Sequence, residues 1–370
     1  MSALSVGITC YPTFGGSGII ATEIGLELAR RGHRVHFICS SVPFRLPHHQ
    51  ERVFLHEVET RDYPLFDTSS YVLALASKMV EVATVDRLDL LHVHYAIPHA
   101  TAGYLAKQIL GKAAPKLITT LHGTDITLVG NDPSFLPITR FSVEHSDCIT
   151  TPSQFLAAAT RENLGLPDTF PIEVISNFVD PDKFVPASSP SRAPILVHNS
   201  NFRPVKRVDD AIRVLHAVRQ TRPCRLVLIG DGPERPRVEQ LTRELGLVDD
   251  VVFLGKQTEL VDVLQTARVF LQPSESESFG LAALEAMSCG VPVVGTDVGG
   301  VGEVVEHGQS GELFAVGDIT GMAAAVVRLV DDQDLHSRYA RRSRAIAQTR
   351  FPRSLLVDAY EACYRRLLAR

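Results

Sequence analysis

Two glutamates in the second half of the chain lie eight positions apart, one in a polar loop and one in an apolar helix pattern. Glu277 stands in the loop of residues 274–280, and Glu285 lies in a predicted helix over residues 281–287. A carboxylate among Ala, Leu and Met side chains is costly to bury unless a donor hydrogen-bonds to it. Backbone N–H groups of residues 278–280, at the helix start, suit an anion. The stretch predicts a site that binds hydroxyls through carboxylates and anions through backbone; the alternative places Glu285 on a solvated helix face.

A second loop in the same half carries positive charge. Arg203, Lys206 and Arg207 lie within five residues, directly after a predicted strand. Such a run is often only a solvated surface, but at a strand end it is well placed to bind phosphate. Gly232 lies in a glycine-containing loop after the next strand, and Gln257 follows the strand after that. Together these loops predict a nucleotide-diphosphate site in the second half.

Other chemistries lack their motifs. The pattern G-x-x-x-x-G-K-[ST] of P-loop ATPases and the pattern G-x-S-x-G of serine hydrolases are both absent. Gly16-x-Gly18-x-x-Ala21 matches a dinucleotide-binding fingerprint, but the following strand end, FICSSVPFR, has no acidic residue to hold a ribose. The glycines are better explained as allowing a substrate close to a helix N-terminus, where Ser17 adds a hydroxyl. We expect no obligatory metal and no cofactor, although His92 and His94 on one strand face leave a metal role conceivable.

Strand and helix patterns alternate along the whole chain, which predicts an α/β protein with two doubly wound parallel sheets. In the first half the predicted strands are 6–9, 34–39, 90–94, 116–121, 148–151 and 172–175, with helices over 19–31, 100–110 and 154–162. In the second half the predicted strands are 195–198, 225–229, 251–254, 268–271 and 291–294, with helices over 208–219, 234–245, 259–266 and 281–287. Ser17, Tyr95 and His122 all follow strand ends, where ligands of such sheets gather.

The predicted domains are residues 1–176 and residues 177–350, each Rossmann-like, followed by a terminal segment of residues 351–370. Residues 177–184 and the Pro- and Ser-rich run after them suggest a linker and hinge. The terminal segment has an amphipathic helical pattern over residues 355–368. We expect this helix to cross back onto the first domain, and the two domains to face each other across a cleft that closes on substrate.

Composition narrows the classes of function. A net charge of −5 does not suggest nucleic acid as a partner. No apolar run reaches about 20 residues, and the N-terminus lacks the basic start of a signal peptide, so we expect a cytoplasmic protein without membrane contact. The six cysteines form no C-x-x-C pair and are expected to be small buried hydrophobic residues.

Several motifs together resemble glycosyltransferase family 4. They are the GDGPE loop, the NFVDPDKF segment and the run from Glu277 to Glu285 with SFGLAALEAMSCGVPVV. The first half, with GITCYPTFGGSGIIATEIG, HYAIPHA and TTLHGTDITLVG, is similar to those family members that transfer N-acetylglucosamine from UDP-GlcNAc to L-malate in the first step of bacillithiol biosynthesis. The resemblance covers nearly the whole chain. It implies the GT-B architecture and a retaining glycosyltransferase with UDP-GlcNAc and L-malate as substrates and no essential metal.

The resemblance also implies roles for individual residues. His122 would lie beside the transferred sugar, Lys206 would neutralise the departing diphosphate, and Glu277 would hold the sugar near its 3-hydroxyl; these three are the expected catalytic residues. Glu285 would bind the ribose, and Gly16 would touch the diphosphate. The full expected donor site is Gly16, Asn201, Arg203, Lys206, Gly232, Gln257, Glu277, Ser278, Phe279, Gly280, Leu281 and Glu285. The expected acceptor site is Ser17, Tyr95, Thr120 and Arg140.

Some alternatives stay open on the sequence. Many relatives carry Arg where this chain has Asn201, so either Arg203 or Arg207 would reach the phosphate. Arg140 is equally well explained as an exposed helix residue. The acceptor could instead be an inositol phosphate or a lipid, and the chain could be a GT-B epimerase or a sugar-binding module. Retention could use same-face attack, which the family chemistry favours, or a nucleophile such as Asp125. A homo-oligomer is also left open.

Overall fold

The computed structural model describes residues 2–13, 15–60, 71–127, 129–188 and 193–369. The chain forms two compact units. Unit 1 consists of Met1–Ser176 and Leu356–Arg370, and unit 2 is Asn177–Leu355. Within the described residues, no helix is both long and apolar enough to cross a membrane.

Unit 1 is built on a parallel sheet of seven strands among the described residues. In chain order they are β1 (Ser5–Thr9), β2 (Arg34–Cys39), β3 (Val53–Glu57), β4 (Leu90–His94), β5 (Lys116–Thr120), β6 (Cys148–Thr151) and β7 (Glu173–Val174). Their order in the sheet is β3-β2-β1-β4-β5-β6-β7. The direction of winding therefore reverses between β1 and β4. Ligands of doubly wound sheets bind outside the carboxyl ends of the strands at this switch point.

Helices cover both faces of this sheet, so its central strands are buried on both sides. The helices of unit 1 are α1 (Gly16–Arg30), α2 (Tyr71–Val85), α3 (Thr101–Leu110), α4 (Thr124–Thr127), α5 (Leu136–Glu144), α6 (Gln154–Asn163) and, from the C-terminal segment, α14 (Arg353–Leu368). Every residue of β1 and of β4 is buried. At the start of α6, the Ser153 hydroxyl accepts a hydrogen bond from Leu156 N, as expected for an N-cap.

Helix α14 packs on unit 1 through polar contacts as well as apolar ones. Tyr364 is fully buried, and its hydroxyl hydrogen-bonds to Nδ1 of His92 on β4 at 2.7 Å. Nε2 of His92 contacts the Thr120 hydroxyl, also at 2.7 Å. Near the surface, Arg31 pairs with Asp358 at 2.5 Å. A buried polar network that joins α14 to two central strands fixes both the position and the rotation of the helix.

We expect Tyr364→Phe to lower the free energy of unfolding of unit 1 by about 1–3 kcal/mol, because it leaves a buried ring nitrogen of His92 without its partner. Thermal or denaturant unfolding measures the change. Tyr104→Phe is the matched control, since the Tyr104 ring packs edge-on against Phe141 near the surface. Equal effects of the two variants would mean that the hydrogen bond to His92 contributes nothing to the docking of α14.

Unit 2 repeats the same plan with six parallel strands among its described residues. They are β8 (Ile195–Asn199), β9 (Arg225–Ile229), β10 (Val251–Gly255), β11 (Val269–Gln272), β12 (Val293–Thr296) and β13 (Gly311–Phe314). The helices are α7 (Val208–Arg219), α8 (Arg235–Glu244), α9 (Val261–Thr266), α10 (Leu281–Ser288), α11 (Val301–Val304), α12 (Ile319–Asp331) and α13 (Gln333–Thr349). The sheet order is β10-β9-β8-β11-β12-β13. The switch point of unit 2 thus lies between β8 and β11.

The segment of residues 177–184 is not the free linker that its Pro and Asp content suggested. Val179 and Phe184 are each 3% exposed and belong to the hydrophobic core of unit 2. Val179 N donates to the carbonyl of Phe351, and Arg344 on α13 donates to the carbonyl of Phe184 at 2.6 Å. Turn-forming residues were mistaken for flexibility here, because two apolar side chains anchor the segment in unit 2.

Candidate active site

Two loops of unit 2 lie at its switch point, the one after β8 (residues 200–207) and the one after β11 (residues 273–280). The first is anchored by Phe202, whose side chain is fully buried in the core. Phe202 and Arg207 both have a positive φ, of 39° and 45°. Non-glycine residues rarely adopt this conformation, and its cost is borne where the surrounding structure fixes a functional loop.

Backbone contacts hold this loop against its neighbours. Glu275 N donates to the Val205 carbonyl at 2.8 Å, and Glu234 N donates to the Phe202 carbonyl at 3.0 Å. A Cβ on Gly232 would lie 2.0 Å from the carbonyl oxygen of Asn201, and one on Gly230 would lie 1.7 Å from that of Ser200. What requires these glycines in the structure is the close approach of two loops.

Lys206 and Glu277, one from each switch-point loop, form an ion pair at 2.6 Å between Nζ and Oε1. The same Oε1 accepts hydrogen bonds from the Gln272 amide at 2.5 Å and from the Ser274 hydroxyl at 2.9 Å. The side chains are 21% and 11% exposed for Lys206 and Glu277, so the pair is largely shielded from solvent. Among the described residues, Oε2 of Glu277 makes no hydrogen bond. One carboxylate oxygen is therefore fixed, and the other is available to a ligand hydroxyl.

Helix α10 begins beside this pair with an open N-terminus. Its N-cap is Gly280, in the left-handed conformation with φ 97°, and no side chain caps the helix. The first N–H groups of an uncapped helix bind anions well, since the helix dipole adds positive potential there. The Phe279 side chain is buried against Phe351 at 5.5 Å between ring centroids, so only its backbone can face a ligand. Glu285, one turn into α10, is 4% exposed, which excludes the solvated-face alternative.

The other residues considered for the nucleotide-sugar site differ in their contacts and exposure. Arg207 pairs with Asp210 at 2.6 Å, a contact that raises the pKa of the guanidinium. Arg203 is exposed and has no ion pair within the described part of the chain, so it is the better candidate for a phosphate contact. The Asn201 side-chain oxygen is buried and lacks a hydrogen-bond partner among the described residues. Gln257 donates to the carbonyl of Leu254 at 2.7 Å.

In unit 1 the switch point brings Ser17 and Tyr95 together. Ser17 lies in the first turn of α1, whose N-cap Gly15 provides no side-chain cap. Tyr95 directly follows β4, has a φ of 86°, and its hydroxyl lies close to the Ser17 and Thr124 side chains. Burial raises the pKa of Tyr95 to about 12, so the phenol stays protonated. The arrangement offers hydroxyls and open helix N–H groups, which suit a carboxylate. Gly16 opens the same helix.

His122 is the end of a buried row of imidazoles. Its Nε2 lies 2.8 Å from Nδ1 of His94, and the two rings stack at 5.1 Å. Nδ1 of His99 donates to the His94 carbonyl at 2.5 Å. Burial lowers the pKa of His122 to about 3 and that of His99 to about 4, and it lowers the pKa of His94 as well. All three rings are therefore neutral at physiological pH.

Asp125 ties the two loops of this region together. It is 1% exposed. Its Oδ1 accepts from the N–H groups of His122 at 3.1 Å and Gly123 at 3.0 Å, and its Oδ2 accepts from Ala96 N at 3.2 Å. Burial raises the pKa of Asp125 to about 6, while hydrogen bonds from backbone N–H groups oppose that rise.

We expect Asp125→Asn to destabilise unit 1 by about 1–3 kcal/mol, because the new amide would set its NH2 group against a buried backbone N–H. Activity should fall but remain measurable. Asp132→Asn is the control, since Asp132 is exposed and, among the described residues, its side chain accepts a single local hydrogen bond, from Ser134 N. Complete loss of activity in Asp125→Asn, with a covalent sugar adduct trapped on the unmutated protein, would contradict the structural role.

Two expected acceptor residues do not join Ser17 and Tyr95. Thr120 is fully buried, and its hydroxyl contacts His92 on one side and the Thr150 hydroxyl at 2.6 Å on the other. It points into the packed side of β5, so it belongs to the α14 docking network. Arg140 is half exposed on α5 and pairs with Glu144 at 2.9 Å. That contact matches the alternative of an exposed helix residue.

The sequence reasoning missed four residues that shape the two sites. Gln272 and Ser274 fix Glu277, and His94 and His99 support His122. The spacing of His92 and His94 was noted only as a conceivable metal pair. Their observed partners are Tyr364 and Thr120 for His92 and His122 for His94. A signal was present for the first pair, since Gln272 and Ser274 stand at or just after the end of a strand, five and three positions before Glu277.

Comparison with known proteins agrees with the two-unit organisation. The family model described as Glycosyltransferase Family 4 matches residues 14–183, and the model described as Glycosyl transferases group 1 matches residues 180–346. The chain is 45% identical over 370 residues to N-acetyl-alpha-D-glucosaminyl L-malate synthase of Bacillus anthracis, covering 98% of this chain and 96% of that protein. It is 28% identical to a D-inositol 3-phosphate glycosyltransferase of Saccharomonospora viridis, over 96% of this chain and 90% of that protein.

Solved structures share the fold at low sequence identity. A sucrose-phosphate synthase from Thermosynechococcus elongatus superposes with a TM-score of 0.81 at 23% identity, over 99% of both chains. The Anabaena protein HepE, in complex with UDP and glucose, gives a TM-score of 0.82 at 22% identity, over 97% of this chain and 99% of that one. The fold is that of the GT-B glycosyltransferases. On the family models and the full-length identity, the chain belongs to glycosyltransferase family 4.

Proposed function

We propose that this protein transfers N-acetylglucosamine from UDP-GlcNAc to the hydroxyl of L-malate with retention at the anomeric carbon. The observation that carries the proposal is the Lys206–Glu277 pair beside the uncapped start of α10, a site built for a sugar diphosphate. The identity of the substrates comes from the 45% identical Bacillus anthracis synthase, whose name specifies N-acetylglucosaminyl transfer to malate. The loops of this chain supply a chemical reason for each part of that reaction.

In unit 2, charge and hydrogen bonding match the donor. The α10 N–H groups and Lys206 bind the diphosphate, with Arg203 adding charge at the surface. Lys206 also stabilises the negative charge that develops on departing UDP, an electrostatic contribution that is often the largest in transfer reactions. Glu277 accepts from a sugar hydroxyl through Oε2, and Glu285 accepts from the ribose. This positive charge makes an obligatory metal unnecessary in our proposal, and it needs no cofactor.

In unit 1, the groups around Tyr95 match malate. The open N-terminus of α1 and the Ser17 and Tyr95 hydroxyls donate to its carboxylates. His122 acts as a neutral hydrogen-bond partner of the transferred sugar. Nε2 of His94 is buried with no partner in the described residues. A buried nitrogen without a proton costs less there than an unmet N–H, so His94 donates to His122, which then presents its own proton on Nδ1.

Retention follows from same-face attack in this proposal. Both oxygens of Asp125 accept backbone hydrogen bonds, which supports a structural role for this carboxylate and same-face attack over a glycosyl-enzyme. The malate hydroxyl attacks the anomeric carbon on the face from which UDP departs. Its proton passes to the leaving phosphate oxygen, and the products are the α-glycoside of malate and UDP. We place the reaction in the cytoplasm, where no membrane or nucleic-acid partner is needed.

An acceptor panel tests the substrate assignment. Purified protein with UDP-GlcNAc is assayed for UDP release with no acceptor, with L-malate and with D-inositol 3-phosphate, the acceptor named for several relatives of this chain at 28–31% identity. We expect release that depends on L-malate. Release only with the inositol phosphate would move the chain to that branch of the family. Equal release with no acceptor would exclude malate transfer, and D-malate serves as a stereochemical control.

A further inference from the structure

Two cysteines far apart in the sequence meet on unit 1. Cys148 opens β6, and Cys363 lies on α14, 215 positions later; their sulfurs are 3.5 Å apart. Glu173, the first residue of β7, is the third member of the group. One ligand atom from each of the three lies within 4.8 Å of the other two. The group joins the edge of the sheet to the helix that returns from the end of the chain.

The spacing of these atoms suits a chelated metal ion. Two sulfurs bound tetrahedrally to zinc at about 2.3 Å lie about 3.8 Å apart, close to the separation of Cys148 and Cys363. Arg366 donates to Oε1 of Glu173 at 2.5 Å, and one carboxylate oxygen of Glu173 lies within 4.8 Å of both sulfurs. Two thiolates and one carboxylate favour zinc over the harder ions magnesium and calcium.

A cavity beside the group gives a metal both access and a fourth ligand. Its volume is about 240 Å³, and Cys148, Glu173 and Cys363 all line it, together with Ile172 and Leu367. Three protein ligands and one water complete a tetrahedral zinc site. A purely hydrophobic role for the two cysteines would not require a carboxylate between them or a cavity at their side.

A second cysteine pair in the same unit provides a contrast. Cys10 and Cys39 lie 4.0 Å apart between β1 and β2, and both are fully buried. Among the described residues, no His or carboxylate completes a metal-binding group with them. Cys10 and Cys39 therefore have the surroundings that the sequence suggested for all six cysteines, whereas Cys148 is only partly buried and Cys363, although buried, lies near a carboxylate.

We propose that Cys148, Cys363 and Glu173 form a zinc site that fastens α14 to β6 and β7. Binding releases the two thiol protons to solvent, and neither the metal nor the sulfurs change oxidation state. The zinc has no part in sugar transfer. Because the ion binds only where the three segments meet, it stabilises the folded unit over the unfolded chain.

Zinc titration of the full-length, untagged protein tests the site. The protein is reduced, stripped with a chelator and titrated with zinc against a chromophoric competitor. We expect tight binding of one zinc per chain and a raised unfolding temperature. Cys148→Ser and Cys363→Ser should each weaken that binding at least about tenfold, because each removes a sulfur that binds the metal. The Cys10→Ser/Cys39→Ser variant should keep it. Equal zinc binding by Cys148→Ser and the unmutated protein, or no binding by the latter, would overturn the proposal.

Two further measurements show whether the zinc binds at this site and through sulfur. His36, His56 and Asp86 form another close group of ligand atoms, so His56→Ala is titrated in parallel and should retain the tight site. Cobalt(II) added to the unmutated protein should give thiolate-to-cobalt charge-transfer absorption, which reports sulfur ligands even if the serine variants fold poorly. Absence of that absorption would also overturn the site. So would a Cys148–Cys363 disulfide in a protein that does not bind zinc when reduced.

Discussion

Lys206→Ala should lower kcat by about 10²–10³-fold, the loss typical of removing one donor to a developing negative charge. Lys206 is the cation that the switch point of unit 2 places against Glu277, and departing UDP gains charge as the glycosidic bond breaks. Because that charge is largest in the transition state, the loss should fall mainly on kcat, with a smaller rise in the KM for UDP-GlcNAc. Steady-state kinetics with saturating malate measures both constants.

Lys183→Ala is the matched control for this prediction. Lys183 also lies in unit 2 and also pairs with a glutamate, Glu259, but at 3.1 Å on the surface, where it is 36% exposed. Its replacement should leave kcat within about twofold, since exposed pairs contribute little. A thermal unfolding scan of each variant separates lost chemistry from lost folding. A Lys206→Ala enzyme with near-normal kcat would show that the leaving group is stabilised elsewhere.

Glu277→Gln should have the second largest effect, a fall in kcat/KM for UDP-GlcNAc of about 10²-fold, as for the loss of a charge-assisted hydrogen bond and its network. Lys206, Gln272 and Ser274 all donate to Oε1 of this carboxylate. An amide can accept from these donors only through its oxygen, and its NH2 group would then replace the acceptor Oε2. The variant loses a sugar contact at Oε2, and it holds Lys206 less firmly because a neutral amide oxygen does not form an ion pair with it.

Glu275→Gln tests whether the lost charge alone explains such an effect. Glu275 lies two positions earlier on the same loop and is exposed. Its replacement should change kcat/KM less than about twofold. In the double variant Lys206→Ala/Glu277→Gln the losses should be smaller than the sum of the single ones, because the two side chains act as one unit. Strict additivity would mean that they act independently.

The loops of unit 2 that form the proposed donor site could be predicted from the sequence because their signals are local. The cationic loop, the glycine loop and the Glu277–Glu285 run each follow a strand, and the sheet order brings the first and third to one switch point. What the sequence did not show is orientation. In the sequence, Arg203 and Arg207 are equivalent candidates for a phosphate contact, yet of the two it is Arg207 that pairs with Asp210. Thr120 ends a strand as Tyr95 does, but its side chain points to the packed face.

The first half was harder to predict because its contacts join distant segments. The edge strand Val53–Glu57 was not predicted, since it is partly exposed and lacks a clear apolar alternation. Helix α2 (Tyr71–Val85) was also missed. The row of His122, His94 and His99 depends on the pairing of β4 with β5, and the meeting of Cys148 with Cys363 depends on the docking of α14. No spacing rule along the chain detects such pairs.

The most direct test of the account is proton NMR of the reaction product. UDP-GlcNAc and L-malate are incubated with the enzyme, and the anomeric signal of the product is followed as UDP appears. The account predicts one new α-anomeric signal, from GlcNAc that is glycosidically linked to malate. This product should form in a one-to-one ratio with UDP. A β-anomeric product, or free N-acetylglucosamine in place of the malate glycoside, would contradict it.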